Sequence, residues 1–138
     1  MNTAEHCRDT VLCLARAQDL QDWDTLAALF TEDAVLVRPG AEPLHGRDAI
    51  RAAYAGRPPG RFTRHLVVST LVDEAADGEA RAHSTVLLWA GLAGDAEGPQ
   101  GRPAHGPELL CEFDDRLQRG SDGRWRIAER RSRFVLHR

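Results

Sequence analysis

His65 is the side chain whose type and setting point most directly to chemistry. It lies in a run rich in apolar residues, where Val67, Ser69 and Leu71 follow at intervals of two and therefore share its face of a strand. A histidine on the inward face of a sheet can take up and release a proton near neutral pH, which suits a general acid or base. The alternative is a histidine with a structural role, or one that faces solvent.

Asp19 is the second candidate for chemistry. Leu12, Ala15 and Asp19 are spaced by three and four residues, so they share one face of a predicted helix. The carboxylate lies near the helix C-terminus, where the helix dipole disfavours a negative charge. Another interaction should therefore account for it, unless Asp19 only serves the turn between two helices.

A predicted strand near the end of the chain carries two more candidates. Cys111, Phe113 and Asp115 alternate along it and share one face. Cys111 could be a nucleophile, but no activating partner is evident, so a packing role is favoured. Asp115 is interpreted as an ion-pair partner of Arg131, with a second acid at the pocket as the alternative.

Aromatic and apolar side chains would form the walls of a binding pocket, which usually combines such walls with a few polar groups. Most of the aromatic residues should belong to the core, and one or two should line the cavity. The predicted ligand-binding set is Trp23, Phe30, Tyr54, Val67, Ala90, Cys111, Phe113 and Asp115.

Helical periodicity dominates the part of the chain that must position Asp19. Apolar residues at three- and four-residue spacing predict helices over 4–21, 23–31 and 47–55. Thr3 and Asp22 are the predicted N-caps of the first two helices. Residues 34–37 are short and β-branched, and predict a strand.

The period changes to two after Pro58-Pro59-Gly60, in the part that must position His65. The pattern predicts strands over 61–74, 79–91, 109–119 and 125–136, and a loop over 92–107. Three helices with a short strand, followed by a four-stranded meander, indicate the α+β class. We therefore predict one domain over residues 1–138, with helices on one face of a curved antiparallel sheet enclosing one apolar pocket.

Asp77-Gly78 is the strongest hairpin signal in the chain. If it forms a two-residue turn, the numbers of paired residues sum to 155, and His65 lies opposite Ala90. His83 would then lie opposite Val72, on the other face of the sheet.

Composition limits the classes of partner and site. The chain has 138 residues and a net charge of −3, which argues against a nucleic-acid partner. Three cysteines without a CxxC pair support neither a disulfide framework nor a zinc site. Residues 1–20 carry charges throughout and no long apolar run exists, so neither a signal peptide nor a membrane span is expected. A reducing cytoplasm is the simplest compartment.

Several segments resemble the SnoaL-like proteins of the NTF2-like superfamily, in the right order along nearly the whole chain. They are Asp19-Leu20-Gln21-Asp22-Trp23-Asp24, Leu29-Phe30-Thr31-Glu32-Asp33-Ala34, Gly46-Arg47-Asp48-Ala49-Ile50, Arg64-His65 and Asp122-Gly123-Arg124-Trp125-Arg126-Ile127. The resemblance implies a cone-shaped α+β barrel, often a homodimer packed through the outer sheet face. The superfamily includes polyketide cyclases, scytalone dehydratase, ketosteroid isomerase, limonene epoxide hydrolase and binding domains without activity, so fold alone does not select a function.

The resemblance also assigns roles to the candidate residues. His65 matches the active-site histidine of the scytalone-dehydratase-like members, and Asp19 matches the aspartate that pairs with it there. Such a carboxylate would fix the tautomer of His65 and raise its basicity. Phe113 and Asp115 match an aromatic-x-Asp pair frequent in SnoaL-like sequences. No metal and no organic cofactor is implied.

Departures from the family pattern limit the reaction. Ala90 stands roughly where scytalone dehydratase has a second histidine, and Gln18 stands in place of its tyrosine, so the same dehydration is not expected. Arg38 precedes Pro39 where ketosteroid isomerase has its catalytic aspartate. The sequence thus predicts a cofactor-independent cyclase, dehydratase or isomerase acting on a hydrophobic carbonyl-bearing molecule such as a polyketide. The alternative is a small-molecule-binding or dimeric interaction module without catalysis.

Overall fold

The computed structural model describes residues 1–138, with three helices and six strands. The helices are α1 (Thr3–Asp19), α2 (Trp23–Ala28) and α3 (Arg47–Ala55); the strands are β1 (Phe30–Val37), β2 (Leu44–His45), β3 (Arg61–Ala76), β4 (Glu79–Leu92), β5 (Leu109–Arg119) and β6 (Trp125–His137). None of the helices is long and apolar enough to cross a membrane.

One six-stranded sheet runs in the order β2-β1-β6-β5-β4-β3, and the helices pack on it. The predicted α+β class and the antiparallel meander of the last four strands are confirmed. Two features were not predicted: the two-residue strand β2, and the parallel pairing of β1 with β6.

The ends of the first two helices differ from the prediction. Asn2, not Thr3, caps α1: its Oδ1 accepts the Glu5 backbone N–H at 2.9 Å, and a Glu5 carboxylate oxygen accepts the Asn2 N–H at 2.8 Å. Asp22 caps α2 as predicted, through the Thr25 N–H. The helix ends at Ala28 because Phe30 pairs with Ile127 in the sheet.

The hairpin between β3 and β4 has the predicted two-residue turn, and Gly78 takes a left-handed φ of 75°, which glycine adopts without steric cost. Two bulges, between Val67 and Ser69 and between Glu74 and Ala76, then shift the register. His65 therefore lies opposite Leu88, and the predicted pairing with Ala90 is wrong.

The same bulges change which residues share a face, because an extra residue in a strand reverses the alternation beyond it. Val67 stays on the face of His65, but Ser69 and Leu71 do not, and the side chain of Leu71 is exposed. His83 pairs with Leu71 rather than Val72. It lies on the outer sheet face, as predicted.

The core lies between the helices and the inner face of the sheet. Its main cluster includes Leu14 of α1, Leu26 of α2, Ile50 of α3 and Ile127 of β6. A smaller cluster of Val86, Leu88, Cys111 and Phe113 lies along the inner face of β4 and β5.

Side chains on or just after α1 cover the free edge of β3. The Arg8 side chain donates to the Thr70 carbonyl at 3.1 Å, and Gln21 donates to the Arg61 carbonyl at 2.9 Å. Between these two contacts, Asp19 accepts the backbone N–H of His65 at 2.8 Å. An edge strand would otherwise leave these groups without partners, so the helix is held alongside the strand.

Candidate active site

Asp19 and His65 form a buried pair at the end of α1. His65 Nδ1 and Asp19 Oδ1 are 2.5 Å apart. The His65 side chain is 5% exposed and the Asp19 side chain is 9% exposed. Thr63 Oγ1 donates to the same Asp19 oxygen at 3.0 Å, and the His65 N–H donates to Oδ2. The carboxylate thus receives three hydrogen bonds, which offset its unfavourable place at a helix C-terminus.

This geometry selects the tautomer of His65. An ionised carboxylate can only accept hydrogen bonds, so Nδ1 must carry the proton that lies between them. In the neutral ring, Nε2 is then the unprotonated, basic nitrogen. The pair can therefore act as a base through Nε2, with Asp19 stabilising the imidazolium that forms.

Two local features bring Asp19 to the edge of β3. It is the last residue of α1, and Leu20 follows as the C-cap. Gln21 then turns the chain with a φ of 56°, the one positive φ outside glycine. Thr63 shares the face of His65 because it lies two residues earlier in β3; this spacing was a usable signal that the sequence reasoning missed.

A cleft of about 360 Å³ lies beside the pair. Its other lining residues are Leu12, Ala15, Arg16, Leu20, Arg64 and Val67. The cleft is open, since Leu12 and Leu20 at its rim are 48% and 55% exposed. The sequence predicts one enclosed apolar pocket, whereas this cleft is open to solvent.

The predicted aromatic residues divide between core and cleft. Trp23 and Tyr54 stack with ring centroids 5.9 Å apart, and Phe30 is fully enclosed in the main core. Trp23 also lines a second cleft together with Arg57, Arg61 and Thr63. Trp23 is therefore the aromatic residue that reaches open space close to the Asp19–His65 pair.

The structure does not bring the remaining predicted lining residues into one place. Cys111 and Phe113 lie in the smaller core cluster, against which Val67 packs. Ala90 lies opposite Thr63 but lines a separate cleft with Phe62, Trp89 and the loop after β4.

Asp115 forms an ion pair, but its partner is Arg130 and not the predicted Arg131. Arg130 Nε and Nη2 donate to the two carboxylate oxygens at 2.7 and 2.8 Å, and both side chains are buried. Arg130 also lies over the Phe113 ring at 4.3 Å. Arg131 faces the other side of the sheet, opposite Asp114, and bonds Glu129. The correction follows from register, which sets Asp115 opposite Arg130.

Two arginines that sequence reasoning did not assign to a site are also unusual. The Nε of Arg38 is buried without a hydrogen-bond partner. Burial lowers the pKa of the Arg57 guanidinium, which lies over the Tyr54 ring at 4.3 Å. No group of three or more His, Cys, Asp or Glu side chains is arranged to hold a metal ion.

The three cysteines differ in exposure, which predicts selective alkylation. Burial raises the pKa of Cys7 to about 11, with a smaller contribution from the charge of Glu74, and burial also raises the pKa of Cys111. Both thiols stay protonated in the folded protein, while Cys13 is exposed. Iodoacetamide at pH 8 should add one group to the folded protein and three after denaturation, measured by mass spectrometry.

Cys13→Ser is the control for this experiment, and the folded variant should take no label. Labelling of Cys111 in the folded parent would contradict the packing role and reopen a nucleophilic one.

Because a raised pKa favours the protonated thiol of the folded state, the contribution of Cys7 to stability should be complete below about pH 8.5 and lost as the pH rises towards 11.

Comparison with known proteins adds solved structures of the same fold. No curated protein matches the chain in sequence. A proposed scytalone dehydratase from Novosphingobium aromaticivorans is 22% identical with a TM-score of 0.81, over 98% of this chain and 85% of that one. ActVI-ORFA from Streptomyces coelicolor is 23% identical with a TM-score of 0.77, over 95% and 96%.

A third structure contains a bound small molecule. It is a protein from Catenulispora acidiphila, solved in complex with S-DNPA. Its sequence is 25% identical to the present chain and its TM-score is 0.73, over 95% of the present chain and 92% of the Catenulispora chain. The sequence model of the SnoaL-like domain matches residues 1–131. Because this match covers nearly the whole chain, the chain belongs to the family of SnoaL-like domains.

Proposed function

We propose that this chain is a cofactor-independent enzyme that moves a proton on a hydrophobic, carbonyl-bearing small molecule. The observation that carries the proposal is the buried Asp19–His65 pair, in which Nδ1 is bound to the carboxylate and Nε2 is left as the base. Asp19 is proposed to hold the ring and to stabilise its protonated form. The adjoining cleft would take the substrate.

The proposed first step is removal of a proton from the carbon next to the carbonyl by His65 Nε2. The C–H electron pair forms the enolate, and the proton rests on the imidazolium. In a dehydratase, the enolate expels a β-hydroxyl group, which leaves as water with that proton. In an isomerase the proton returns to a different carbon, and in a cyclase the enolate carbon attacks a second carbonyl, whose oxygen takes the proton.

The comparisons support this class of function in part. Similar folds include a proposed scytalone dehydratase, and a related protein was solved with the small molecule S-DNPA. These observations favour a small-molecule site in this fold.

The first experiment measures deuterium exchange into 1-tetralone, a hydrophobic ketone, in D₂O by NMR. The parent protein should accelerate exchange next to the carbonyl, and His65→Gln should lower that acceleration about 100-fold or more. His83 is a matched control, since its Nδ1 lies 2.7 Å from Asp114 on the outer face, away from the cleft. His83→Gln should therefore retain the parental rate.

Exchange in the parent no faster than in buffer would contradict the proposal. A parental rate in His65→Gln would contradict it as well, because the acceleration would then come from another group. The fold of each variant should be verified by its thermal unfolding curve.

A ligand-binding module without catalysis is the second candidate function. The specific observation is that Leu88, opposite His65, and Ala90 leave the inner face of β4 without a histidine, since His83 of that strand lies on the outer face. Saturable binding of 1-tetralone with no exchange, unchanged by His65→Gln, would favour this candidate.

The outer sheet face is proposed as a homodimer interface. β3 and β4 carry four exposed apolar side chains, of which Leu66 and Trp89 line one cleft: Leu66, Val68, Leu71 and Trp89. An apolar patch of this kind is typical of an interaction surface. Sedimentation should detect a dimer that Leu71→Asp shifts towards monomer, with Leu12→Asp, on α1, as the control; a parent that is strictly monomeric would contradict the interface.

A further inference from the structure

Two arginine side chains, Arg57 and Arg61, line one cleft close to the candidate active site, and a third, Arg38, is near enough for its charge to act on Arg57. Arg57 follows α3, Arg61 begins β3, and Arg38 follows β1. The positive charges of Arg61 and Arg38 are close enough to lower the pKa of Arg57, in addition to the effect of burial. None of the three forms an ion pair with a carboxylate.

Arg38 carries the least satisfied group. Leu36 pairs with Arg130 and lies on the inner face of the sheet, and Val37 pairs with Arg131 on the outer face. Because side chains alternate between the two faces, Arg38 lies on the inner face, like Leu36. Its Nε is buried and has no hydrogen-bond partner. A buried charged donor without an acceptor is costly, but Arg38 is not among the residues that line the cleft of Arg57 and Arg61, so this donor marks no ligand contact there.

Arg57 and Arg61 line a cleft of about 60 Å³ with Trp23 and Thr63, and no Asp or Glu is among its lining residues. This volume suits a small polar group and not an aromatic ring system. Two guanidinium groups without a carboxylate form a suitable site for an anion, because hydrogen bonds to an ionised acceptor are short and strong.

Thr63 connects this cleft to the Asp19–His65 pair. Its hydroxyl donates to Asp19, and it precedes His65 by two residues, about 7 Å along the strand. A group bound at the arginines could therefore belong to the same small molecule whose reacting carbon faces His65.

We propose that Arg57 and Arg61 bind a carboxylate of the substrate. The inference rests on the proposed function for the position of the reacting carbon, and it narrows the substrate class to a carboxylic acid with a hydrophobic body and a carbonyl. The planar fork of each guanidinium matches the two oxygens of a carboxylate.

Binding of a matched pair of probes tests this proposal. 1-Naphthaleneacetate and its neutral amide, 1-naphthaleneacetamide, share one hydrophobic body and differ in charge. Titrations followed by NMR of the arginine Nε–Hε signals should show about tenfold tighter binding of the acetate to the parent, with Arg57 and Arg61 signals shifting. Arg57→Gln should abolish the preference for the acetate over the amide. If Arg57→Gln does not fold, Arg61→Gln replaces it, because Arg61 is exposed.

Arg124→Gln is the control, since Arg124 lies in the exposed turn before β6, and it should keep the preference. His65→Gln should also keep it, which separates this test from that of the proposed function. Equal affinity for both probes, binding of neither, or a preference that survives both Arg57→Gln and Arg61→Gln would overturn the proposal. Tighter binding of 1-naphthyl phosphate than of the acetate would overturn the choice of carboxylate in favour of phosphate.

Discussion

Replacing Asp115 with alanine should lower the free energy of unfolding by about 3–5 kcal/mol, a large part of the roughly 5–15 kcal/mol that holds a domain of this size together. The substitution removes both acceptors of the Arg130 guanidinium and leaves that charge buried, with only 5% of its side chain exposed. A buried charge that loses its partner keeps the full cost of its removal from water. Chemical denaturation followed by circular dichroism measures the loss.

Asp77→Ala is the matched control for this prediction. Asp77 also pairs with an arginine, Arg119 at 3.1 Å, but its side chain is 97% exposed. An exposed pair contributes little, so the control should unfold close to the parent. The double variant Asp115→Leu with Arg130→Met should recover most of the stability, because no unpaired charge remains. A single variant as stable as Asp77→Ala would contradict the importance of the buried pair.

Asp19→Asn should lower kcat of the proposed reaction, followed as deuterium exchange into 1-tetralone, by about 10²–10⁴-fold while leaving the fold intact. The backbone N–H of His65 can only donate, so the amide oxygen of the asparagine must take the position of Oδ2. The amide NH₂ group then faces His65 Nδ1 and donates to it. The imidazole proton moves to Nε2, and the base of the proposed reaction is lost.

NMR of the His65 ring nitrogens tests this effect without a substrate. In the parent, Nδ1 should carry the proton, and in Asp19→Asn the proton should be on Nε2. Thr63→Val is the control: it removes one hydrogen bond to Asp19 but leaves the carboxylate and the tautomer, so its kcat should fall much less. An Asp19→Asn variant with the parental tautomer and parental kcat would contradict the role of the pair.

Local patterns predicted the elements that are decided by one buried face. The helical repeat of α1 and α3 and the alternation of β5 and β6 follow directly from which residues face the core. The sequence pattern predicts the correct end of β1 at Val37 but a start four residues too late, and it does not predict β2. The start of β1 depends on a distant partner, since Phe30 pairs with Ile127 of β6. β2 consists of two residues that pair with β1. No local sequence pattern indicates either partner.

Register shows the same limit more sharply. The Asp77-Gly78 turn was read correctly, yet His65 lies opposite Leu88 because two bulges interrupt the hairpin. A bulge depends on how the twisted sheet packs against the helices, so it leaves no clear mark in the alternation of residue types. For the same reason the partner of Asp115 is Arg130, although Arg131 looked equally suitable in sequence.

The sequence by itself determined the α+β class, the family resemblance and the residue types able to move a proton, because these follow from composition and periodicity and from motifs short enough to read along the chain. The tertiary structure alone decided that Asp19 and His65, 46 positions apart, share a short hydrogen bond, and that Arg57 and Arg61 line one cleft. Such contacts depend on α1 lying along the free edge of β3 and on the curvature of the sheet. Those arrangements arise only when distant segments bury a common core.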